Sequence, residues 1–330
     1  MHFQALFVDD TTTPRARLRS LSPDDLPEGG DTLVRVHWSA INYKDALAVT
    51  GNGKIIRGAY PFVPGIDLAG EVIETSSDRF QSGDRVLCTG WGLGENVWGG
   101  YSQLQRVQSE NLLPLPTDMD PRAAMIAGTA GLTAMLGTME IEDAGVNPDA
   151  GDVLVTGASG GVGSFAIMSL AAAGYRVVAS TGSMNHRDWL TDLGADAIIE
   201  RSELETGAKR PLDSARWAGA IDSVGGTTLE HIISTTARHG CISACGLVAG
   251  ADVHTTVFPF ILRGIRLVGI DSNTCPNDVR EVAWQRIAEL ARNRDFTSLA
   301  ETIPLDAVPQ MCERVVRGET RGRVLVEVGT

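Results

Sequence analysis

The sequence is poor in cysteine and in positive charge. Five cysteines among 330 residues form an odd, sparse set that does not indicate a disulfide framework. Lys and Arg total 28 against 41 Asp and Glu, so the formal net charge is -13 at pH 7. Because an acidic surface repels phosphate backbones, nucleic-acid binding is not expected as a main function. An anionic ligand would need cations placed locally at its site.

The sequence also lacks long hydrophobic runs. No stretch approaches the ~20 uninterrupted apolar residues that a membrane helix requires. The N-terminal segment MHFQALFVDD has no basic region followed by an apolar run and a cleavage site, and it predicts a first strand instead of a signal peptide. A cytoplasmic protein is therefore expected. The length, with 43% hydrophobic residues, suits two domains with substantial cores.

The first part of the chain has the pattern of short antiparallel strands. Residues 32–40 and 70–75 alternate apolar and polar side chains, which indicates half-buried strands. Residues 83–88 predict a turn followed by another strand. Together with Gly and Pro turns, these segments predict a compact, barrel-like β domain.

The character of the sequence changes near Pro121. Predicted helices and strands then alternate: helices at 121–142, 164–173 and 185–193, strands at 152–156, 175–180, 197–199, 220–224, 241–244 and 265–269. This alternation is typical of βαβ units around a parallel sheet, so the predicted fold class is α/β, with a doubly wound Rossmann sheet beside the β-rich domain. A helix at 278–293 and a strand at 322–328 follow.

A glycine-rich turn, GASGGVG at residues 157–163, follows the first buried strand and precedes an apolar helix. Without Cβ atoms the backbone turns tightly and approaches a pyrophosphate closely, while N–H groups of the helix N-terminus face the anion. In this context the motif predicts a dinucleotide site, with Ser159, Gly160, Gly161 and Val162 as the pyrophosphate loop. A tight structural turn is the alternative.

The end of the second strand of the parallel sheet favours NADPH over NADH. NAD enzymes usually place Asp or Glu there to bind the ribose 2′-hydroxyl, whereas no carboxylate precedes Asp188 here. Thr181, Gly182 and Ser183 are therefore the candidates for the 2′-phosphate and ribose. Arg187 is either a further cation for this site or only a solvated residue of the following helix.

A set of motifs carries a family resemblance: Asn42–Asp45 (NYKD), Pro64–Gly70 (PGIDLAG), Gly90–Gly94 (GWGLG), Gly128–Ala134 (GTAGLTA), the glycine turn, Trp217–Gly225 (WAGAIDSVG), Cys245–Leu247 (CGL), Phe258–Arg263 (FPFILR) and Gly269–Ser272 (GIDS). With these motifs the sequence resembles the zinc-free medium-chain dehydrogenase/reductases of the quinone oxidoreductase-like superfamily. Within it, the sequence resembles the acryloyl-CoA reductase group (AcuI/YhdH type) over essentially its whole length. The resemblance implies a GroES-like catalytic domain of residues 1–125 plus 296–330 and an NADPH-binding Rossmann domain of residues 126–295.

The motifs depart from the zinc enzymes of this superfamily at both metal sites. Those enzymes have Cys in the first motif and His-Glu in the second, where this sequence has Tyr43 and Ile66-Asp67. The stretch from Cys88 to Pro114 holds only one cysteine, which excludes a four-cysteine structural site. No metal is therefore expected. Without a Lewis acid, alcohol oxidation is disfavoured, whereas hydride addition to a C=C bond needs only hydrogen bonds to the conjugated carbonyl.

The resemblance implies three neighbouring catalytic candidates. Tyr43, which is also the substrate-binding candidate, is expected to orient a thioester or relay a proton; a structural tyrosine beside the nicotinamide is the alternative. Asn42 is expected to contact cofactor or substrate, or else to form a turn. Asp45 is a candidate general acid, with a helix cap or a salt bridge as the alternative.

Further cofactor-binding residues are implied elsewhere in the chain. Arg201 would cap the 2′-phosphate, and Leu247, Ile270 and Ser272 would line the nicotinamide half of the site. Arg323 would reach the cofactor, with a simple surface role as the alternative. Four basic residues are either ligands of coenzyme A phosphates or solvated cations: Lys44, Lys54, Arg57 and Arg263.

The activity that the resemblance implies is NADPH-dependent reduction of acryloyl-CoA to propanoyl-CoA. A homodimer is expected, paired through the hydrophobic strand at 265–270, because a free edge of this kind invites aggregation. Reduction of a quinone or small enone on the same fold is the main alternative, since a fold does not fix its substrate. A non-catalytic cofactor-binding or RNA-associated role is a remote alternative, against which the acidic surface counts.

Overall fold

The computed structural model describes residues 2–10 and 16–329. The chain forms two compact units. The first unit joins the residues up to Thr129 with those from Ser272 onward, and the second is the continuous segment Ala130–Asp271.

The helices and strands follow one another along the chain in three groups. The first group is β1 (Phe3–Phe7), β2 (Arg17–Leu21), β3 (Thr32–Ile41), α1 (Tyr43–Thr50), β4 (Asp67–Thr75), β5 (Arg85–Thr89), β6 (Leu104–Val107), β7 (Leu113–Pro114) and α2 (Pro121–Asp143). The second group is β8 (Val153–Val155), α3 (Gly161–Ala172), β9 (Val177–Thr181), α4 (Arg187–Leu193), β10 (Ala197–Glu200), β11 (Trp217–Asp222), α5 (Gly226–Thr235), β12 (Thr236–Ala244), α6 (Phe258–Arg263) and β13 (Arg266–Gly269). The last group is α7 (Asn277–Asn293), β14 (Ala300–Pro304), α8 (Val308–Val316) and β15 (Arg323–Glu327).

The first unit is built on a seven-stranded sheet in the order β14-β15-β3-β4-β5-β7, with β6 also paired to β3. Its pairs are antiparallel except for β14 and β15, which run parallel. Apolar side chains such as Val34, Leu68, Val86 and Val326 are completely buried in its core. The predicted strands in this part of the chain are confirmed, and β4 begins earlier than predicted, at Asp67.

The second unit contains a six-stranded, fully parallel sheet in the order β10-β9-β8-β11-β12-β13. The chain enters at β8, winds outward to β10, and then returns to β11 on the other side of β8. The predicted doubly wound Rossmann sheet is therefore confirmed. Ligands of such sheets bind beyond the carboxyl ends of the strands at this switch point, where the turn after β8 carries residues 157–163.

The helix α2 is interrupted at Gly128, which has φ 51° and ψ -152°. A Cβ at Gly128 would lie 2.4 Å from Asp67 Oδ2, so this break brings the backbone against a carboxylate. Among the described residues α2 is the one helix with the length and apolarity to cross a membrane, which the sequence analysis did not expect. Most of its apolar window is buried within the protein, as is usual for a core helix.

The predicted boundary at 295/296 would follow α7. In the structure the second boundary between the units lies before α7, between Asp271 and Ser272. Buried Arg280 of α7 explains this difference. Its guanidinium donates to the carbonyls of Ser272, Asn273 and Cys275 at 3.1–3.2 Å and to Thr89 Oγ1 at 3.1 Å. These bonds hold α7 in the first unit, and its amphipathic sequence pattern does not indicate which unit it covers.

Candidate active site

In the second unit, the predicted pyrophosphate loop forms the connection from β8 to α3. Ser159 and Gly160 lie in the turn, and Gly161 and Val162 open the 12-residue helix α3, whose first turn contains no acidic side chain. The first N–H groups of a helix have no partner inside it and lie at the positive end of its dipole. The four residues are thus brought together at a place that favours an anion.

The end of β9 is joined to this loop by hydroxyl groups. Thr181, the last residue of β9, donates from Oγ1 to Ser159 Oγ at 3.3 Å and accepts the Ser183 N–H at 3.1 Å. Thr181 is buried, whereas Gly182 and Ser183 are exposed. The candidates for the 2′-phosphate therefore adjoin the candidates for the pyrophosphate.

Arg201 lies directly against Gly182. A Cβ at Gly182 would be 3.0 Å from Arg201 Cζ, so any larger residue would push the guanidinium aside. Arg201 Nε also pairs with Glu205 at 2.7 Å in an exposed ion pair. Arg187 opens α4 and is exposed. Of the two candidate cations, Arg201 is the one that the structure places against the strand end.

A buried carboxylate that the sequence analysis did not single out braces the glycine turn. Asp222 ends β11 and is fully buried, and it accepts hydrogen bonds from Thr156 Oγ1 at 2.5 Å and from the Gly225 N–H at 2.9 Å. Burial raises the pKa of Asp222 above its usual value. A lone carboxylate at the end of the apolar strand WAGAID was the sequence signal for this role.

The residues predicted to line the nicotinamide half fall in both units. In the second unit Leu247 is 64% exposed, and the half-buried Ile270 donates its N–H to the Ala244 carbonyl at 2.9 Å, which extends the pairing of β12 with β13. Ser272 begins the second segment of the first unit and accepts from Arg280. Their contact with a cofactor stays a prediction.

In the first unit, Asn42 and Asp45 form the N-terminal cap of α1. The Asn42 N–H donates to Asp45 Oδ2 at 2.9 Å, and the Asn42 amide nitrogen lies 3.2 Å from the same oxygen. Tyr43 is the first residue of this helix and is 43% exposed. The cap thus fixes the direction in which the Tyr43 side chain leaves the helix.

Asp45 is placed as a capping residue and not as a proton donor at the surface. Its side chain is buried, and Oδ1 accepts the Ile66 N–H at 2.9 Å. Burial, together with repulsion from Asp67, raises the pKa of Asp45 to about 7. Because its partners cover the carboxyl, Asp45 has the contacts of a helix cap, and a general-acid role stays a prediction.

Asp67 is the centre of the polar cluster in this unit, a role that the sequence did not predict, and it occupies one of the positions where the zinc enzymes of the superfamily have a ligand. Its completely buried carboxylate accepts from Asn42 Nδ2 at 2.7 Å, from the Thr129 N–H at 3.0 Å and from Thr129 Oγ1 at 2.6 Å. Arg323 Nη2 lies 3.6 Å away. We call Asn42, Asp45, Asp67, Thr129 and Arg323 the Asp67 cluster.

Arg323 opens β15 and is buried, which excludes the alternative of a simple surface role. Its Nε donates to the Ile126 carbonyl at 2.9 Å, and Nη1 donates to the Ile41 carbonyl at 3.2 Å and to Asn42 Oδ1 at 3.1 Å. Burial lowers the pKa of the guanidinium from its ordinary value. Arg323 therefore holds the Asn42 amide from one side while Asp67 holds it from the other.

The basic residues considered for coenzyme A phosphates differ in availability. Lys44 Nζ pairs with the buried Glu95 at 2.9 Å, and the Arg263 guanidinium donates to the carbonyls of Ser234 and Thr236 at 2.8 and 2.9 Å. Two other candidates are exposed: Lys54 and Arg57. Over the described ranges, no group of three or more His, Cys, Asp or Glu side chains is placed to hold a metal ion.

The raised pKa of Asp45 predicts a pH-dependent stability. Between pH ~4 and ~7 the folded protein retains a proton on Asp45 that the unfolded chain has released, so the free energy of unfolding decreases as pH rises through this window. The contribution is on the order of a few kcal/mol. Urea unfolding at several pH values should show this slope in the native protein and a flatter slope in Asp45→Asn; equal slopes would contradict the assignment.

Family models match both parts of the chain. The model described as "Alcohol dehydrogenase GroES-like domain" matches residues 28–117, and the model described as "Zinc-binding dehydrogenase" matches residues 161–289. Among individual proteins, "Probable acrylyl-CoA reductase AcuI" of Escherichia coli is 47% identical over 95% of both chains. "Acrylyl-CoA reductase AcuI" of Ruegeria pomeroyi is 44% identical over 99% of both chains.

Solved structures agree with these matches. The yhdH oxidoreductase from Salmonella enterica in complex with NADP superimposes with a TM-score of 0.95, at 44% identity, over 99% of this chain and 100% of that one. Bacillus subtilis yhfP with NAD bound has a TM-score of 0.95 at 39% identity over 99% of both chains. The curated YhfP protein of the same organism is named a putative quinone oxidoreductase.

Proposed function

The chain belongs to the medium-chain dehydrogenase/reductase superfamily, within its quinone oxidoreductase-like family and the acrylyl-CoA reductase group (AcuI/YhdH type), and on this premise we propose that it reduces the C=C bond of acryloyl-CoA to give propanoyl-CoA, with NADPH as the reductant. Near-full-length identity of 44–47% to the two AcuI proteins supports the reaction. The contact between Arg201 and Gly182 is the observation in this chain that supports the cofactor.

The residues of the second unit fit NADPH. A 2′-phosphate requires hydroxyls and a cation and is repelled by a carboxylate, and the end of β9 offers Thr181, Ser183 and the Arg201 guanidinium over Gly182. The loop Ser159–Val162 at the start of α3 would receive the pyrophosphate. When bound, NADPH supplies the hydride that is added to the β-carbon of the substrate.

The first unit supplies the groups for the substrate. Tyr43 is the exposed residue among the catalytic candidates of this unit. We assign its hydroxyl the hydrogen bond to the thioester oxygen, where negative charge develops as the β-carbon accepts hydride. A proton added to the α-carbon completes the reduction. The Asp67 cluster does not touch the reacting atoms in this scheme; it fixes Asn42 and therefore the start of the helix that bears Tyr43.

We propose that the reaction proceeds without zinc. The positions of the family's catalytic ligands are occupied by Tyr43 and Ile66-Asp67, and the Asp67 carboxylate is engaged by Asn42, Thr129 and Arg323. Elemental analysis of the purified protein, and its activity after treatment with a chelator, test this point. Stoichiometric zinc whose removal abolishes activity would contradict it.

The reaction is tested by following NADPH oxidation with acryloyl-CoA, crotonyl-CoA and a benzoquinone. We expect rapid oxidation with acryloyl-CoA and slower oxidation with crotonyl-CoA, whose added methyl group crowds the β-carbon. Rapid turnover of the quinone alone would support the alternative function, quinone or small-enone reduction, which the name of the Bacillus subtilis relative favours. No turnover of any substrate would support the remote alternative of a non-catalytic cofactor-binding protein.

The cofactor assignment predicts that Arg201→Gln weakens NADPH specifically. A hydrogen bond to a charged group contributes ~1.5–3 kcal/mol, so the KM for NADPH should rise about 10- to 100-fold while the KM for NADH stays near its native value. Arg187→Gln is the matched control, because it removes an exposed guanidinium from the neighbouring helix α4. Equal changes for both cofactors, or a larger effect of Arg187→Gln, would contradict the role of Arg201.

We also propose a homodimer formed through the edge strand β13. This edge and the adjacent helix α6 expose several apolar side chains: Phe258 (46%), Ile261 (68%), Leu262 (50%) and Leu267 (39%). A second copy would pair with the free edge and cover these side chains.

The dimer predicts that Leu267→Asp converts the protein to a monomer at micromolar concentration, because it buries a charge in the proposed interface. Leu18→Asp in β2 is the control, since Leu18 has nearly the same exposure, 38%. Sedimentation velocity distinguishes the outcomes, and a native protein that sediments as a monomer would overturn the proposal. A cytoplasmic location also stays a prediction, which cell fractionation tests.

A further inference from the structure

A cavity of about 470 Å³ lies within the first unit, and none of the predicted site residues lines it. Four aromatic side chains line it, beside polar ones such as Gln105 and Arg106: Tyr60, Phe62, Trp91 and Trp98. Its volume falls within the ~300–1,000 Å³ of small-molecule sites. The aromatic part of the wall suits an aliphatic or planar ligand segment, and the polar part suits hydrogen-bonding groups.

The strand register shows that the cavity is lined by residues at both ends of the strands of this sheet. At one end the wall includes Cys88, which precedes Thr89 in β5, and Thr89 pairs with Asp67 at the start of β4. At the other end it includes Val107, which pairs with Thr32 at the start of β3, whereas the far end of β3 leads into Asn42. The cavity thus extends from the side of the Asp67 cluster along the sheet, which suits an elongated ligand.

Two polar atoms of the lining residues are buried and have no hydrogen-bond partner among the described residues: Trp91 Nε1, a donor, and Gln105 Oε1, an acceptor. Gln105 is 2% exposed, and its amide nitrogen already donates to the Trp98 carbonyl. A buried donor and a buried acceptor without partners cost stability unless a ligand or water satisfies them. A secondary amide offers the complement, because its C=O accepts and its N–H donates.

Trp91 is held in a left-handed backbone conformation, with φ 56°, that side-chain-bearing residues rarely adopt. The backbone N–H of Trp91 donates to the Asn273 carbonyl at 2.8 Å, and Arg280 Cζ lies 5.2 Å from the centroid of the indole ring. Such a conformation persists only where the surroundings hold it, and it occurs preferentially at ligand sites. The backbone that carries the indole is therefore held in place at the cavity wall.

We propose, resting on the function assigned above, that this cavity binds the pantetheine arm of the acyl-CoA. Trp91 Nε1 would donate to an amide carbonyl of the arm, and Gln105 Oε1 would accept an amide N–H. The aliphatic segments between the amides would lie against the aromatic walls, with the thioester at the end of the cavity nearest the Asp67 cluster. In this proposal Trp91 and Gln105 recognise the long arm of the substrate and take no part in the hydride transfer.

The variant Trp91→Phe tests the proposal because it keeps an aromatic ring and removes the N–H donor, together with the rest of the five-membered ring of the indole. We expect the KM for acryloyl-CoA to rise about tenfold, the effect of one lost hydrogen bond, with little change in kcat. The KM for S-ethyl thioacrylate, which has no amide, should not change. Trp284→Phe is the matched control: its indole nitrogen is also buried with no hydrogen-bond partner in the part of the chain that the structure describes, and it does not line the cavity.

A second variant and a binding measurement make the test decisive. Gln105→Met, which removes the acceptor, should show the same pattern as Trp91→Phe, and calorimetric titration with pantetheine should show binding that Trp91→Phe weakens about tenfold. The cavity assignment is overturned if the protein reduces acryloyl-CoA and the variants change the KM for acryloyl-CoA and for S-ethyl thioacrylate equally. It is also overturned if neither variant changes the KM for acryloyl-CoA. Pantetheine binding that depends on Trp91 without reduction of acryloyl-CoA would instead support the cavity and contradict the proposed reaction.

Discussion

The Asp67→Asn variant is expected to lose on the order of 3–5 kcal/mol of unfolding free energy, because it leaves a buried guanidinium without its counter-charge. Arg323 is 3% exposed, and the Asp67 carboxylate is its ion-pair partner in the described structure. In either orientation the new amide would also present hydrogens to the Thr129 N–H, which is itself a donor to both Asp67 oxygens. Chemical unfolding measures this loss directly.

The same variant should lower kcat/KM for acryloyl-CoA by about 100-fold. Asp67 and Arg323 hold the Asn42 amide from opposite sides, and Asn42 starts the helix that carries Tyr43. A displacement of ~1 Å in a positioned group is enough for a loss of this size. Because Tyr43 itself is unchanged, the loss should appear mainly in kcat, and the KM for NADPH should change little.

Asp31→Asn is the matched control for this experiment. Asp31 lies in the same unit and accepts hydrogen bonds from Ser109 N at 2.6 Å, Ser109 Oγ at 2.7 Å and Thr32 Oγ1 at 3.0 Å, and it does not belong to the Asp67 cluster. It should cost no more than ~1–2 kcal/mol and leave kcat/KM unchanged. Native activity in Asp67→Asn, or an equal loss in Asp31→Asn, would refute the positioning role.

The second large effect is expected for Gly163→Ala. A Cβ at Gly163 would lie 2.4 Å from the Gly157 carbonyl oxygen and 2.6 Å from Ala158 Cα, so α3 must move away from the turn after β8. Overpacking of this kind costs ~1–3 kcal/mol. Because the displaced helix start is the proposed pyrophosphate site, NADPH affinity should fall by at least about 100-fold.

Gly160→Ala separates the two consequences. Gly160 has φ -84°, which any residue adopts, and its Cβ would lie 3.3 Å from the Gly157 carbonyl oxygen, a tight contact that small shifts relieve. We expect this variant to fold with nearly native stability and to bind NADPH more weakly, because the added methyl group faces the pyrophosphate position. Fluorescence titration with NADPH and thermal unfolding of both variants provide the test. Native NADPH affinity in Gly163→Ala would contradict the assignment of the loop.

Much of the fold follows from sequence periodicity. The apolar runs of β8, β9 and β11 and the glycine turn between β8 and α3 are local patterns, and they predicted the parallel sheet correctly. Strand β14 was not predicted, because its mixed sequence AETIP is largely exposed and is defined by parallel pairing with β15. Helix α7 belongs to the first unit because the Arg280 guanidinium donates to carbonyls of that unit. The amphipathic pattern of α7 does not contain this information.

The candidate site could be predicted only in part for a similar reason. Asn42, Tyr43 and Asp45 are neighbours in the sequence, so one motif identified them together. Asp67 joins them only because β4 pairs with β3, and Arg323 joins them because β15 pairs with the other edge of β3. A sequence pattern can suggest that a charged residue matters, but it cannot show which distant charge neutralises it.

The pairing of β15 with β3 has a consequence for how the protein is made. During synthesis Asp45 and Asp67 leave the ribosome long before Arg323, and until then two carboxylates that will be buried together lack the buried guanidinium that pairs with Asp67. The second unit, one continuous segment, can complete its sheet meanwhile. The first unit reaches its final form only when its last strand arrives, so a chain interrupted before residue 323 carries a finished second unit and an unfinished first one.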